Sequence, residues 1–247
     1  MLKKRLLFIL CLASIVIITG CSQSNYKPSD PDTPLNLENL NGMYAGFRDD
    51  FGGSECGGMC WDFYTFLPKN NVFIGLPDNG GPETIDCKVN ECLTYKISDG
   101  MLKLSDGESV PIEITDEQLV INKIKLNPVI PVPKGTTLDN TYTYIGYFGL
   151  IGVNGAASSW TYKLILESNG TFELSGVTIG SLGATSGGPS THGSSSDSNT
   201  IGTYQIQNNT IMMKSDDGKV ENALFFIHNG DEEDIQIGDK NYYVKKN

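Results

Sequence analysis

The sequence predicts an all-β protein with two small antiparallel meander barrels or sandwiches in tandem, related by internal duplication. Three observations predict this fold class. Apolar and polar residues alternate with a period of two, turn residues interrupt the alternation about every 8–12 residues, and the pattern occurs twice. No stretch beyond the N-terminal apolar run holds the 3.6-residue period of an amphipathic helix. Short strands joined by tight turns are typical of meander barrels and sandwiches.

The N-terminus has the features of an export signal. Three basic residues at positions 3–5 precede an apolar run over residues 6–18, which is shorter than the roughly 20 residues that cross a bilayer. The sequence Ile18-Thr19-Gly20-Cys21 then resembles a bacterial lipobox. The resemblance implies a lipoprotein signal peptide over residues 1–20 and a lipid on Cys21. It also implies anchoring to a bacterial membrane, either the outer membrane or, in a Gram-positive host, the outer face of the cell membrane.

A polar segment with three prolines follows the lipidated cysteine. Residues 21–36 predict a flexible tether that spans at most roughly 50 Å. Loss of the signal peptide changes the net charge from -11 to -14, because 15 basic residues then face 29 acidic ones. Such acidity argues against nucleic-acid binding, which needs clustered Lys and Arg. The membrane contact is therefore expected through the lipid.

The rest of the chain repeats itself. Tyr44 corresponds to Tyr142 at an offset of 98, and Trp61 corresponds to Trp160 at 99. The offset reaches 116 where Leu119 meets Ile235, and it grows only at turns. This pattern indicates a duplicated domain with insertions. It predicts a first β domain over residues 37–126, a proline-rich linker over residues 127–136, and a second β domain over residues 137–247.

Each repeat is a series of segments in which apolar and polar residues alternate, and a turn follows each segment. The segments of the first repeat contain the pairs Tyr95/Ile97, Leu102/Leu104, Ile112/Ile114 and Leu119/Ile121. Those of the second contain Trp160/Tyr162, Phe172/Leu174, Tyr204/Ile206, Ile211/Met213, Leu224/Phe226 and Ile235/Ile237. Turns such as Ser98-Asp99-Gly100 and Ser168-Asn169-Gly170 separate them.

Three motifs of the second repeat add a resemblance. They are Gly202-Thr203-Tyr204-Gln205-Ile206, the Asp216-Asp217-Gly218 hairpin, and the final run from Ile237 to Tyr242. Together they resemble bacterial lipocalin-like domains, which implies a β-barrel fold. Trp61, Phe63, Trp160 and Tyr162 are candidates for lining an apolar ligand cavity inside such barrels. A barrel of about eight strands leaves an interior that side chains nearly fill, so barrel size favours a filled core instead.

Four cysteines remain in the exported body, all in the first repeat. Cys56, Cys60, Cys87 and Cys92 are expected to form disulfides, because an exported chain with an even number of cysteines is oxidised. Three pairings are open, and bonds between the two cysteine-bearing loops are preferred to two small local rings. A four-cysteine zinc site is the alternative, but the spacing and the compartment argue against it. No metal and no cofactor are therefore predicted.

Catalytic residue types are scarce. His192 lies near Ser194 and Asp197, but in a Gly/Ser-rich stretch, residues 176–200, that predicts a mobile loop and not a rigid triad. His228 falls at the end of an apolar segment, and the acidic run at residues 231–234 reads as a solvated turn before it reads as a Ca²⁺ site. An enzyme is therefore not expected.

The function that the sequence favours is a membrane-anchored, non-catalytic binding or interaction module of the cell envelope. Its contacts are expected from the loops at residues 49–59, 77–91 and 176–200. Two alternatives remain open at this point. One is a lipocalin-like carrier of a small apolar ligand, and the other is an inhibitor or immunity protein for an envelope enzyme.

Overall fold

The structure, a computed structural model, describes residues 26–30, 33–149, 156–182, 190–194 and 199–246. The predicted signal peptide and Cys21 lie outside these residues. Within the described ranges, no helix is long and apolar enough to cross a membrane.

Eight antiparallel strands close into the first barrel, and each pairs with the next along the chain. The strands are β1 (Gly42–Asp49), β2 (Met59–Leu67), β3 (Asn71–Ile74), β4 (Leu93–Ser98), β5 (Met101–Leu104), β6 (Ser109–Thr115), β7 (Gln118–Ile121) and β8 (Ile124–Pro128). The barrel closes where Pro128 of β8 pairs with Tyr44 of β1. Closure of the meander leaves no open sheet edge along these strands.

The second barrel has the same topology with one added strand. Its strands are β9 (Asn140–Phe148), β10 (Ala156–Leu166), β11 (Thr171–Leu182), β12 (Ser190–Ser194), β13 (Thr200–Gln207), β14 (Thr210–Ser215), β15 (Val220–Ile227), β16 (Asp234–Ile237) and β17 (Lys240–Val244). Eight of them form a closed ring through the pairs β9–β17 and β10–β11, and β12 adds to the far end of β11. The predicted all-β fold of two tandem barrels is confirmed.

The described parts of the stretch at residues 176–200 form strands, whereas its composition predicts a mobile loop; residues 183–189 and 195–198 lie outside the described ranges. The main chain of β11 pairs with β10 as far as Leu182, and β12 pairs with β11 from the other side. Backbone pairing of this kind does not depend on large side chains, so a Gly/Ser-rich composition does not prevent it. His192 and Ser194 belong to β12, whereas Asp197 lies outside the described residues.

The strand registers show the duplication directly. Phe66 of β2 pairs with Gly42 of β1, and Leu166 of β10 pairs with Asn140 of β9 in the same way. The two strands therefore correspond at an offset of 100, and the offset of 99 that matched Trp61 with Trp160 is wrong by one residue. Because successive residues of a strand face opposite sides, this slip exchanges the two faces. Trp160 corresponds to Cys60, and the two tryptophans point in different directions.

A segment that precedes each barrel closes one of its ends. Leu40 packs into the core of the first barrel, and Leu138, 98 residues later, packs into the core of the second. In the second barrel the hydroxyl of Tyr204 accepts a hydrogen bond from the Leu138 N–H at 2.8 Å. The closed ends are therefore built alike, and solvent reaches the second barrel from its opposite end.

The described part of the predicted tether, residues 26–30 and 33–36, contacts the first barrel. Ser29 is buried against Gly42, and residues 33–35 line a cavity of about 430 Å³ together with the β6–β7 turn and the end of β8. For these described residues the structure differs from the flexible tether expected over residues 21–36, and the other tether residues lie outside the described ranges. The linker is likewise packed, since Val129 is buried and Val132 forms a β-bridge to Asn208.

A hydrophobic cluster joins the two barrels, and we call it the seam. It consists of Met43, Ala45, Trp61, Phe63, Val129, Leu224 and Phe226. Trp61 and Phe63 lie on the outer face of β2, because Tyr64 and Phe66 pack into the barrel interior. Their prediction as cavity residues is therefore wrong, and the physical reason is the one-residue register difference.

The loop between β1 and β2, residues 50–58, is bound to the second barrel. The Tyr147 N–H donates to the Gly57 carbonyl at 3.0 Å, and the Gly149 N–H donates to the Gly52 carbonyl at 2.7 Å. These bonds give partners to backbone N–H groups at the end of β9, where β17 no longer pairs with it.

The loop between β3 and β4 is also bound to the second barrel. Glu83 accepts hydrogen bonds from the Asn209 N–H at 3.2 Å and from the Thr210 hydroxyl at 2.7 Å. Two of the three loops predicted to contact a partner therefore hold the two barrels together.

The four cysteines form disulfides as predicted, but not in the preferred pairing. Cys56 bonds Cys60, and Cys87 bonds Cys92, with Cα–Cα distances of 5.4 Å and 5.2 Å. Bonds between the loops are prevented because each loop is held against a different part of the second barrel, one at β9 and the other at the β13–β14 turn. Each disulfide thus stabilises one docked loop.

Candidate functional site

The inner surface of the second barrel changes character halfway along its length. On seven strands, the inward residue near the closed end is buried and the next inward residue toward the open end is half-buried. Examples are Leu164 followed by Tyr162, and Ile211 followed by Met213. We call the half-buried set the cup. It comprises Tyr144, Trp160, Tyr162, Leu174, Met213, Ala223, Ile237 and Lys240, and Tyr242 forms its floor.

The first barrel is more closely filled at two of the positions where the second forms the cup, although Val110 and Ile124 there are half-buried as well. Leu104 and Ile121, the counterparts of Met213 and Ile237, are both buried. Instead of the tyrosine pair of the cup, the equivalent positions hold Gly46 opposite Asp62. A Cβ on Gly46 would lie 2.3 Å from the Lys125 carbonyl oxygen, so β8 approaches closely there. The two repeats therefore share a fold but differ in their interiors.

An ion pair occupies the corresponding end of the first barrel. The Arg48 guanidinium lies 3.3 Å from the Asp62 carboxylate and also binds Glu55 through two hydrogen bonds. Burial raises the pKa of Asp62, and the charge of Arg48 opposes this effect. In the second barrel Gly146 stands at the position of Arg48.

Aromatic rings dominate the cup. The rings of Tyr144 and Tyr162 are nearly parallel, with 6.0 Å between centroids, and Tyr242 lies 5.7 Å from Tyr144. Trp160 pairs across the strands with Gly146, and Tyr162 pairs with Gly176. A Cβ on either glycine would lie within 2.7 Å of the opposing ring. Because both opposing residues are glycines, both rings lie against the barrel wall. A side chain at either position would have pushed the opposing ring into the lumen.

Charges at the cup are few and paired. Among the described inward-facing residues of the second barrel, Lys240 and Glu221 are the charged ones. Lys240 forms an ion pair with Asp239 at 2.7 Å, and Glu221 pairs with Lys219. Burial raises the pKa of Tyr144, although the positive charge of Lys240 and a hydrogen bond with Trp160 oppose it. Burial also raises the pKa of Tyr242. All of these tyrosines are therefore neutral hydrogen-bonding groups at neutral pH.

The disulfide-bonded loop of the first barrel forms part of the rim of the cup. A Cβ on Gly57 would lie 2.7 Å from the Trp160 ring, so the loop backbone is in direct contact with that indole. The Asp50 carboxylate holds the loop by accepting bonds from the N–H groups of Glu55 and Cys56, both at 2.9 Å. These bonds keep the pKa of Asp50 below its usual value. The loop also exposes Phe51, which is 90% accessible.

One group of potential metal ligands occurs among the described residues. Ligand atoms of Asp50, Cys56 and Cys60 lie within 4.8 Å of one another. Both sulfurs are consumed by the disulfide, so they cannot act as thiolate ligands. This grouping therefore serves the structure of the loop.

The structure separates the four residues that the sequence grouped as cavity candidates. Trp160 and Tyr162 face the cup, whereas Trp61 and Phe63 belong to the seam. Tyr144, Tyr242 and Lys240 also line the cup, but the sequence pattern did not single them out. The alternation of Tyr142 and Tyr144 was a usable signal, because two residues that are two apart in a strand share one face.

Comparison with protein-family models, with curated proteins and with solved structures finds no match to this chain.

His228 lies at the seam and not in the cup. Its ring centroid is 5.0 Å from that of Trp61 and 4.8 Å from that of Phe226, and its Nε2 lies 3.2 Å from the Gln236 amide oxygen. Burial lowers the pKa of His228, although the nearby Asp234 carboxylate and Gln236 oppose the shift. A neutral imidazole packed between aromatic rings is a structural group.

The lowered pKa of His228 predicts acid sensitivity. Below the ordinary histidine pKa of about 6.5 the unfolded chain binds a proton that the folded protein resists, so stability falls as pH decreases. We expect His228→Phe, which keeps a ring at the seam, to lose less stability than the wild type between pH 7 and pH 5. Urea unfolding at both pH values measures this difference. Equal pH dependence in the two proteins would contradict the prediction.

Proposed function

We propose that this protein is a lipid-anchored, non-catalytic binding protein of the bacterial envelope that takes a small ligand into the cup of the second barrel. The contrast between the two interiors is the observation that supports it. The repeats have the same topology, but the second places Tyr144, Trp160 and Tyr162 at the inward positions where the first has small or charged residues, Gly46, Cys60 and Asp62. Concave sites lined by aromatic side chains with a few polar groups are typical of ligand binding.

The first barrel has a supporting role in this proposal. Its β1–β2 loop contacts the Trp160 ring at the rim. The seam and the two docked loops hold that rim against the cup. Such a pre-formed site loses little conformational entropy on binding, which favours affinity.

The anchor, if Cys21 is lipidated, holds the protein close to the membrane. Tyr26, five residues after Cys21, contacts the first barrel near Met43 and Glu83. Five extended residues reach at most about 18 Å. The first barrel would thus lie close to the membrane surface.

Binding in the cup is testable with an uncharged aromatic fluorophore, N-phenyl-1-naphthylamine. The sample is the exported chain, residues 21–247, with Cys21→Ser to block lipidation. We expect one molecule to bind with increased fluorescence. Ala223→Phe places a ring in the cup and should weaken binding at least about tenfold, because it fills the space that the probe needs.

The matched control is Asn222→Phe, one residue earlier on β15, where the side chain is exposed on the outer face. It should bind the fluorophore like the parent protein. Failure of the parent protein to bind, or equal weakening by both substitutions, would refute the cup as the binding site.

A further inference from the structure

We infer that the natural ligand of the cup is an uncharged saccharide. This inference rests on the proposed function and adds a ligand class to it. Three properties of the cup support it: half-buried aromatic rings, tyrosine hydroxyls without a protein partner, and the pairing of every charge among the described inward residues.

Aromatic side chains occupy successive inward positions from the floor of the cup to its rim, and we call them the stripe. Tyr242 lies at the floor, Tyr144 and Tyr162 stand above it, and Trp160 and Phe148 follow toward the open end. From Tyr144 to Phe148 the strand rises roughly 13 Å, at about 3.3 Å per residue. A ring face is electron-rich and attracts the weakly positive C–H groups of a sugar ring. A stripe of this length offers stacking positions to more than one ring of an oligosaccharide.

Two tyrosine hydroxyls are available to a ligand. Tyr142 and Tyr204, near the closed end, both use their hydroxyls to bond backbone carbonyls. Within the described part of the chain, the hydroxyls of Tyr162 and Tyr242 have no such partner. Tyr242 is 6% exposed, but its hydroxyl is not among the fully buried polar atoms that lack a partner, so solvent in the cup reaches it. An alkyl ligand that displaced this solvent would leave both hydroxyls buried without a hydrogen bond, which is costly. A sugar supplies hydroxyl groups to both.

The charges argue for a neutral ligand. Lys240 and Glu221 are each bound to an oppositely charged neighbour. A charged ligand would have to compete with these ion pairs and would find no unpaired opposite charge among the described residues that face the cup. An uncharged ligand leaves both pairs intact.

The test displaces the fluorophore from the cup with two kinds of uncharged competitor. The saccharides are cellotetraose, maltotetraose and chitotetraose, and the alkyl competitor is 1-decanol. We expect at least one tetrasaccharide to displace the fluorophore. Tyr162→Phe and Tyr242→Phe should each weaken that saccharide about five- to tenfold, the effect of one lost hydrogen bond, and by a larger factor than they change fluorophore binding.

Tyr243→Phe is the matched control, because Tyr243 lies next to Tyr242 on β17 and faces outward. It should leave saccharide binding unchanged. Displacement by 1-decanol without displacement by any tetrasaccharide would overturn the saccharide inference while the cup remained the binding site. The saccharide inference is also overturned if the fluorophore binds but no competitor displaces it. Absence of fluorophore binding would instead refute the proposed function itself.

Discussion

Phe226→Ala is expected to lower the free energy of unfolding by about 3–5 kcal/mol, the usual cost of removing a buried phenylalanine ring. Phe226 is 5% exposed, and its ring contacts Trp61 of the first barrel and His228 of the second. The cavity would open at the seam, so the loss falls on the contact between the barrels. We therefore also expect one unfolding transition for the wild type and two for the variant.

Urea unfolding followed by circular dichroism and by tryptophan fluorescence measures both effects, because coincident curves indicate one cooperative unit. Val220→Ala is the control on the same strand, at an exposed position outside the seam. It should change stability by no more than about 0.5 kcal/mol. A similarly small loss for Phe226→Ala, or curves that coincide as closely as those of the wild type, would show that the seam does not couple the barrels.

Gly53→Ala is expected to release the β1–β2 loop from the second barrel. A Cβ on Gly53 would lie 2.0 Å from the Tyr147 carbonyl oxygen, which belongs to the backbone of β9 and cannot move aside cheaply. Undocking breaks the bonds from the N–H groups of Tyr147 and Gly149 to the loop. With about 1 kcal/mol for each bond and a similar cost for a positive φ, we expect a total loss of about 3 kcal/mol.

Gly52→Ala is the matched control, because it adds a Cβ at a positive φ without a steric clash. Gly52 also has a positive φ, but a Cβ there would meet no atom within 4 Å. The Gly52→Ala variant should therefore lose only about 1 kcal/mol of its free energy of unfolding. In a Trp61→Phe background, acrylamide quenching of Trp160 should increase for Gly53→Ala but not for Gly52→Ala, because the loop covers that indole. Equal stability and equal quenching in both variants would contradict the docking of this loop as the rim of the cup.

The alternation of residues and the turns were sufficient to predict the fold class and the duplication. Leu102 and Leu104 correspond to Ile211 and Met213 as expected, because the short hairpins between β4, β5 and their counterparts leave no room for a register shift. Trp61 and Trp160 were matched one residue out of register. The match of two tryptophans was attractive in sequence, but the pairing of β2 with β1 sets the face, and one residue is enough to reverse it.

The disulfide pairing and the roles of the loops depended on tertiary contacts. Cys56 and Cys87 lie in loops that a single barrel would place near one another. The contacts of Gly57 with Tyr147 and of Glu83 with Thr210 hold them against different parts of the second barrel. No local sequence signal encodes these contacts, because they join residues that are about 90 to 130 positions apart.

The sequence by itself determined that this protein is built of two related β barrels with oxidised cysteines in the first. The reason is that strand alternation, turn chemistry and cysteine number are local or compositional properties. Only the tertiary structure decided that Trp61 and Phe63 join the barrels while Trp160 and Tyr162 line the cup. Strand register and the docking of one barrel on the other determine which side of a strand meets solvent, a core or a neighbour.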